Sequence, residues 1–370
     1  MGGGFAGTVA ALTLLERSPE LRVSVHERES AAHTTLCGEG LSEDTLRAFS
    51  AFDSRPYIAQ SFDEAVWFFP GRDGPAATEV RIHQRGHTMA RESWIPAMAA
   101  AAAERGARYV TDDKVDAARI EAWAAEPATL VVGCDGPGSV TRKVVGGTHT
   151  TMLGIQYRVA PAPDDVVPER LEFYTDKMFS PEYSWVFPRG DIMNVGLLAT
   201  GDGQDWARLD AFMAARGIAG KVVKREAYPI GFFGDKVQGG ERGNVVLVGD
   251  AAGLTNPITK GGMAATIYAA QMLADCVAAD TVADYGQRIF SHPIADPSFG
   301  PALATIRAWS NADFARLLRF APRPIHVDPG RSTEGRYWWR LAATLASNLD
   351  KTRDIRRLAH AFGVSRRYSW

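Results

Sequence analysis

Two glycine-rich turns with the residue types and spacing of a phosphate-binding site lie far apart in this 370-residue chain. The first, Gly2-Gly3-Gly4-Phe5-Ala6-Gly7, has the G-x-G-x-x-G spacing of a turn between a strand and a helix. In such a turn the backbone approaches a pyrophosphate, and the helix N-terminus faces its negative charge. The second, Val248-Gly249-Asp250-Ala251-Ala252-Gly253, follows the buried-strand pattern Asn244-Val245-Val246-Leu247-Val248. Because the second turn could hold the middle of the same long cofactor, the two together predict an FAD site.

An acidic residue follows the first turn at a distance suited to a dinucleotide ribose. Residues 8–15 show an apolar helix pattern, and Arg22-Val23-Ser24-Val25-His26 predicts a strand that ends at Glu27. A carboxylate about twenty residues beyond the glycines can accept hydrogen bonds from ribose hydroxyls. The alternative is a surface charge at the end of a strand. We predict that the first cofactor-binding residues are Gly2, Gly4, Gly7, Glu27 and the adjacent Arg28.

The strand that should precede the first turn is missing from the sequence. A dinucleotide turn needs an apolar strand of roughly five residues before it, yet Met1 stands directly before Gly2. Either the native protein extends upstream or another segment replaces this central strand, and we favour a misassigned or truncated start. The fold class we expect is α/β: a Rossmann-like FAD-binding domain lacking its first strand, an inserted antiparallel β-sheet substrate domain and a helical C-terminal region.

The domains are expected to interleave along the chain. Residues 93–107 predict an alanine-rich helix with a glycine stop. Residues 155–159, 171–174 and 184–187 have the alternation and aromatic content of half-buried antiparallel strands. We assign residues 1–50, 88–147 and 228–285 to the FAD-binding domain and residues 51–87 and 148–227 to the substrate-binding domain. The C-terminal region, 286–370, is expected to be helical around Pro322 and Pro329.

Composition excludes several classes of protein. The net charge of −2 gives no general attraction to nucleic acid. Three cysteines, far apart and odd in number, favour a reducing cytoplasm, and no apolar run approaches the ~18 residues that span a bilayer. The eight histidines show no metal-binding spacing, and the G-x-S-x-G elbow of hydrolases is absent. No metal is therefore expected.

The order of these motifs resembles a known group of flavoproteins. That order is G-x-G-x-x-G, an acidic residue after the second strand, Asp135-Gly136 after an apolar strand, and Gly249-Asp250. It is similar to the flavoproteins with the p-hydroxybenzoate hydroxylase type of fold. Two local motifs, Cys37-Gly38-Glu39-Gly40-Leu41-Ser42 and Pro181-Glu182-Tyr183-Ser184-Trp185-Val186-Phe187-Pro188, resemble the geranylgeranyl reductase family within this group. The resemblance runs from Gly2 to about Ala274.

The resemblance implies further cofactor-binding residues. It places Asp250, after Gly249, against the ribityl hydroxyls, although an aspartate here also suits a helix N-cap. The run Thr259-Lys260-Gly261-Gly262-Met263 opens a helix whose N-terminal amides could stabilise negative charge on the reduced flavin. The family usually has glycine where Lys260 stands. We add Gly249, Asp250, Gly261, Gly262 and Met263 to the expected FAD site.

Two more positions are carried over from the family. Its Asp-Gly turn, here Asp135-Gly136, helps to hold the cofactor, although it could be only a turn after a strand. Arg91 matches an arginine on the flavin side, and the alternative is an exposed charge at a helix terminus. Both positions are therefore included as cofactor-binding residues.

The family resemblance also implies a substrate pocket. Tyr183, Trp185 and Phe187 alternate in a predicted strand and should face one side. Such a row is commonly core, but the resemblance makes it an apolar wall opposite the flavin that would suit a prenyl chain. Cys37 and Glu39 come from a loop that can reach the flavin in this fold. The candidate catalytic acids are Cys37, Glu39 and Tyr183.

The expected activity is reduction of isolated C=C bonds in a prenyl substrate by hydride transfer from reduced FAD. The electron donor could be NAD(P)H or a ferredoxin-like protein. The main alternative is an aromatic monooxygenase, which shares every cofactor motif. A flavin-binding protein whose cofactor is purely structural is a second alternative. A flavin halogenase is disfavoured, because halogenases use a lysine from the N-terminal third and the first lysine here is Lys114. We also expect a peripheral membrane contact through residues 351–370, unless this basic helix packs on the protein's own surface.

Overall fold

The structure is a computed structural model that describes residues 1–30, 37–71, 74–240, 242–327 and 337–368. Its α-helices are α1 (Phe5–Arg17), α2 (Glu43–Ala48), α3 (Arg91–Glu104), α4 (Ala117–Ala125), α5 (Val140–Val145), α6 (Asp205–Ala215), α7 (Met263–Ala278), α8 (Tyr285–Ser291), α9 (Phe299–Ala308), α10 (Asn311–Leu317), α11 (Tyr337–Ala346) and α12 (Thr352–Tyr368). Its strands are β1 (Ser24–His26), β2 (Gly40–Ser42), β3 (Ile58–Phe62), β4 (Ala65–Gly71), β5 (Gly74–Ile82), β6 (Gly86–Met89), β7 (Arg108–Val110), β8 (Val131–Gly133), β9 (Thr150–Ala160), β10 (Leu171–Tyr174), β11 (Ser184–Arg189), β12 (Ile192–Leu198), β13 (Lys221–Phe232), β14 (Gln238–Gly239), β15 (Val245–Leu247) and β16 (Ile325–His326).

The largest sheet carries the aromatic strands predicted from the sequence. Its eight strands lie in the order β13-β9-β12-β11-β10-β4-β5-β16. Most neighbours are antiparallel, but β10 pairs with β4 and β16 pairs with β5 in parallel. A three-stranded sheet, β2-β6-β3, lies beside it. The α/β fold class with a large, mostly antiparallel sheet is confirmed.

Short parallel strands form the part of the fold around the first glycine turn. β1 pairs with β7, and β8 pairs with β15, which β14 extends antiparallel. Met1 and Gly2 link the two groups through the backbone. The Met1 amine donates to Val132 O at 2.8 Å, Cys134 N donates to Met1 O at 2.8 Å, and Gly2 N donates to His26 O at 2.8 Å. Met1 and Gly2 therefore make backbone hydrogen bonds on both sides of the place, between β1 and β8, where the central strand is expected.

The predicted half-burial is wrong for the strands at 155–159 and 184–187, since residues 155–159 are all buried as well. All six residues of β11 are buried. Tyr183, Trp185 and Phe187 join one apolar cluster, while Val186 joins another on the opposite side of the sheet. The second cluster lies under α6, which covers this face and removes the exposed side that alternation alone suggests.

In its described residues, the C-terminal region is helical, as predicted, apart from the short strand β16. Pro322 is buried, whereas Pro329 lies outside the described residues. Helix α12 packs against α9, and its Ala361 is fully buried. The Phe362 ring lies 5.1 Å from the Trp67 ring, centroid to centroid. The predicted membrane segment 351–370 thus turns its apolar side chains inward as far as Tyr368, and residues 369–370 lie outside the described residues.

Candidate functional site

The first glycine turn is shaped by close backbone contacts. Gly2 has φ 86°, which favours glycine, and a Cβ there would overlap the carbonyl oxygen of Cys134. A Cβ on Gly7 would overlap the carbonyl oxygen of Gly2. Gly4 differs, because no atom lies within 4 Å of the place its Cβ would take. Gly4 is also the N-cap of α1 and offers no side chain to bond the first helical amides.

Glu27 is fixed directly against this turn. Its side chain is buried, and Oε2 accepts a hydrogen bond from Gly3 N at 2.6 Å while Oε1 accepts one from Glu29 N at 3.0 Å. The neighbouring Arg28 lies at the surface beside the turn, and its side chain is 67% exposed. The structure thus brings the acidic residue at the end of β1 to the glycines, as the spacing predicted.

The second glycine turn lies close to the first residues of α1 and of α7. Gly249 has φ 68°, and a Cβ there would lie 3.0 Å from Ala6 Cβ. Asp250 lies inside the 3₁₀ turn Gly249–Ala252, whose N-cap is Val248, so it is not a helix N-cap; its Oδ1 accepts a hydrogen bond from Thr255 Oγ1 at 2.6 Å. Burial raises the pKa of Asp250, an effect that Thr255 and the charge of Arg91 oppose. Arg91 begins α3 and is 5% exposed, so it is buried and not a surface charge.

The turn before α7 supplies backbone amides to the same region. Gly262 is the N-cap of α7 and Met263 its first residue, with no side-chain cap on the helix. Lys260 adopts φ 56°, a left-handed conformation that suits the glycine usual in the family. Gly261 and Gly262 line the cavity together with Met263.

Asp135 has a structural role that the sequence left open. Its Oδ1 accepts a hydrogen bond from Ser139 Oγ at 2.6 Å, and its Oδ2 accepts from Val140 N at 2.7 Å and Thr141 N at 3.1 Å. The carboxylate therefore holds the N-terminus of α5. Gly136, with φ 73°, lines the cavity beside it.

One cavity of about 510 Å³ is lined by residues of both glycine turns and of the turn before α7, whereas Gly7 and Gly249 shape these turns without lining it. At one end it is lined by the first glycine turn, Glu27 and Arg28, and at the other by the aromatic row of β11. Leu171, Phe173 and Leu198 contribute further apolar surface, and β13 adds Tyr228 and Ile230. The sequence analysis did not include these residues, because their distance along the chain gives no signal of a shared wall.

The aromatic row is packed at the edge of this cavity. Tyr183, Trp185 and Phe187 are 4%, 5% and 8% exposed. Tyr183 Oη donates to Thr259 O at 2.6 Å, and Trp185 Nε1 donates to Gln156 Oε1 at 3.1 Å. These hydrogen bonds satisfy the polar atoms of both rings, so the remaining ring surface is apolar.

Cys37 and Glu39 lie on the loop that faces the row. A Cβ on Gly38, between them, would come within 2.7 Å of the Phe187 ring. Burial raises the pKa of the Cys37 thiol, and burial also raises the pKa of Tyr183 well above its usual range. Glu39 N donates to Cys37 Sγ at 3.2 Å. Both the thiol and the phenol are consequently neutral and protonated near pH 7.

Two buried arginines beneath the loop were missed by the sequence analysis. Glu39 Oε1 lies 3.1 Å from Arg158 Nη2, and Glu39 Oε2 lies 2.5 Å from Arg189 Nε. Asn194 Nδ2 also donates to Glu39 Oε2, at 3.1 Å. Burial raises the pKa of Glu39, and the two guanidinium groups oppose that shift. In the sequence, Arg158 stands out only as a charged residue among the apolar residues of strand β9.

Lys260 belongs to a second buried ion cluster. Its Nζ lies 2.5 Å from Glu182 Oε2, and Arg307 Nη2 lies 2.7 Å from Glu182 Oε1. The Lys260 ammonium also lies 4.8 Å from the centre of the Phe232 ring. Burial lowers the pKa of Lys260 while Glu182 raises it in part. Lys260 thus points into the protein, and its charge is compensated there.

The cavity fits an FAD molecule on grounds internal to this structure. The open space at Gly4 and the uncapped amides at the start of α1 suit a pyrophosphate. A second helix N-terminus, that of α7, opens toward the same cavity. The described residues contain no cluster of histidine, cysteine and acidic side chains that could hold a metal ion. Fold and site together define a flavoprotein of the oxidoreductase class.

Comparisons with known proteins agree with this class. No family model matches the chain. It is 28% identical over 293 residues to digeranylgeranylglycerophospholipid reductase of Methanosarcina acetivorans, covering 71% of this chain and 70% of the relative. It is 27% identical over 322 residues to the protein of the same name from Thermoplasma acidophilum, covering 75% and 77%.

Solved structures show the same fold. A geranylgeranyl bacteriochlorophyll reductase-like protein from Thermoplasma acidophilum superimposes with a TM-score of 0.77 at 19% identity, covering 96% of this chain and 97% of that one. A flavin-dependent halogenase gives a TM-score of 0.61 at 18% identity, with 96% and 70% covered. The chain is thus similar in sequence to digeranylgeranylglycerophospholipid reductases and similar in fold to a geranylgeranyl reductase-like protein, in agreement with the resemblance seen in its motifs.

Proposed function

We propose that this protein reduces isolated C=C bonds in the prenyl chain of a lipid, using bound FAD. The observation that carries the proposal is one continuous cavity lined by the dinucleotide turn and by the apolar face of Tyr183, Trp185 and Phe187. The names of the relatives support the lipid class, since both are digeranylgeranylglycerophospholipid reductases. A prenyl chain binds through its buried CH₂ groups, at ~0.8 kcal/mol each, and this wall offers apolar surface for them.

FAD would be held at both turns. The amides that follow Gly4 would face the pyrophosphate, and Glu27 would accept hydrogen bonds from the adenosine ribose. The other residues of the proposed cofactor site are Gly2, Gly7, Arg28, Arg91, Asp135, Gly136, Gly249, Asp250, Gly261, Gly262 and Met263. Bound and reduced FAD would supply a hydride to the alkene, and the uncapped N-terminus of α7 would stabilise negative charge on the flavin.

The second hydrogen must arrive as a proton from the same pocket. Cys37 and Tyr183 both retain their protons near neutral pH, because burial raises the pKa of each. Glu39 is the third candidate, yet both its oxygens are held by the guanidinium groups of Arg158 and Arg189. We therefore assign proton donation to Cys37 or Tyr183, and assign to Glu39 the positioning of the loop that carries Cys37.

The activity can be tested directly on purified protein. Flavin released by heat should be FAD, and FMN or no flavin would contradict the cofactor assignment. Reduced anaerobically with dithionite, the holoprotein should add two hydrogens across each C=C bond of a geranylgeranyl lipid that it reduces. Formation of a hydroxylated aromatic product with oxygen would instead support the monooxygenase. Substitution of dithionite by NADPH or by a reduced ferredoxin then identifies the class of electron donor.

The aromatic wall has a matched pair of variants. Trp185→Ala should lower prenyl turnover while flavin content stays near wild type. Val186→Ala, on the opposite face of the same strand, is the control for loss of packing. If Trp185→Ala loses flavin and thermal stability together, the ring is core and the pocket assignment fails.

A further inference from the structure

Helix α11 turns polar side chains toward the protein and large apolar side chains outward. Thr344 is 6% exposed and Asn348, just after the helix, is fully buried. The Asn348 amide donates to Leu317 O at 3.2 Å and to Thr344 O at 2.7 Å. By contrast, Trp339 is 80% exposed and Leu349 is 75% exposed. A surface helix of a water-soluble domain has the opposite arrangement, with its apolar side on the core.

The exposed apolar side of α11 forms a single face. The outward face of α11 consists of five residues of the helix, which fall on one broad arc at 100° per residue, and of Leu349 in the 3₁₀ turn after the helix. The five are Trp338, Trp339, Ala342, Leu345 and Ala346, and all six residues are exposed. Large apolar patches of this kind mark a surface that binds another molecule or a membrane.

The surroundings of this face carry positive charge. Residues 311–327 and 337–357, which the structure describes, contain eight basic and three acidic residues, a net charge of +5 in a chain whose total is −2. Two ion pairs join helix α10 to the segment after α11. Arg316 Nη2 lies 3.2 Å from Asp350 Oδ2, and Lys351 Nζ lies 2.7 Å from Asp313 Oδ1. Basic residues around an apolar helix face attract anionic lipid headgroups, and tryptophan is favoured at the boundary between headgroups and acyl chains.

We propose that the outward face of α11 docks on an anionic lipid bilayer, with Trp339 and Leu349 at the level of the headgroups. The charge favours a lipid surface over an uncharged partner, and the choice of a bilayer also rests on the proposed function, whose substrate is a lipid. Helix α12 does not provide this contact, since its Leu358 and Phe362 pack against the protein. No helix in the described part of the chain is long and apolar enough to cross a bilayer.

Flotation of the holoprotein with vesicles tests the proposal. Vesicles of phosphatidylcholine with phosphatidylglycerol should bind the wild-type protein, and pure phosphatidylcholine or high salt should weaken binding. The double variant Trp339→Ser/Leu349→Ser should bind the anionic vesicles at least tenfold more weakly. The control is Val166→Ser/Val223→Ser, which removes two exposed apolar side chains outside α11, 87% and 53% exposed, and should bind like wild type.

Three results would overturn the proposal. They are no vesicle binding by the wild-type protein, equal binding by the α11 variant, and a dimer in sedimentation velocity that the α11 variant dissociates. Turnover of a short, water-soluble prenyl alcohol is measured in parallel without vesicles. The α11 variant should retain that turnover. Its absence in the wild-type protein would count against the proposed function and leave the vesicle result intact.

Discussion

Replacing Glu39 by glutamine separates a positioning role from proton donation. Glu39 is fully buried, and the side chains of Arg158 and Arg189 are only 10% and 8% exposed. Removing one partner of a buried ion pair costs roughly 3–5 kcal/mol. The lower end applies, because Arg158 keeps Glu226 at 3.1 Å and Arg189 keeps Glu92. We expect Glu39→Gln to lower the free energy of unfolding by about 3 kcal/mol.

The assay is thermal unfolding followed by flavin absorbance, with turnover measured on the same samples. Glu92→Gln is the matched control: it removes a partner of the same arginines that is 52% exposed, and should cost about 1 kcal/mol or less. For Glu39→Gln we expect flavin content and turnover to fall together, with an unchanged pH profile for the turnover that remains. If turnover disappears while stability and flavin content match wild type, Glu39 is the proton donor and the positioning argument is refuted.

Two further predictions concern the glycine turn and acid stability. Gly7→Ala should lower the melting temperature even of the flavin-free protein, since the new methyl group would overlap Gly2 O. Gly4→Ala should leave the melting temperature of the apoprotein unchanged and weaken FAD binding in a titration. Equal behaviour of the two variants would contradict the proposed cofactor site. Burial acts to raise the pKa of Glu43, but hydrogen bonds from His87 and two arginines outweigh it and lower the pKa to about 2. This stabilisation is present above about pH 4.5 and lost as the pH falls through 2, so urea unfolding of Glu43→Gln should vary less with pH across that window than wild type.

The sequence by itself determined the features that depend on neighbouring residues. The spacing of Gly2, Gly4 and Gly7 predicts a tight turn, and the clash that a Cβ on Gly7 would make with Gly2 O lies within that turn. The clash at Gly2 is with Cys134 O and depends on the tertiary fold. The alternation of Tyr183 and Trp185 puts both rings on one face of a strand, because the side-chain period of a strand is two. These local rules were sufficient to indicate a flavoprotein and its resemblance to the geranylgeranyl reductases.

Only the tertiary structure decided which distant residues meet. Arg158 reaches Glu39 across 119 positions of the chain, and no periodicity in either segment indicates that pair. Packing of α6 over the large sheet buries the Val186 face of β11, while the aromatic cluster buries the other face, so alternation there does not mark an exposed side. The outward face of α11 is likewise a tertiary result, because an amphipathic pattern fixes which residues share a face, whereas the neighbouring elements decide which face meets the protein.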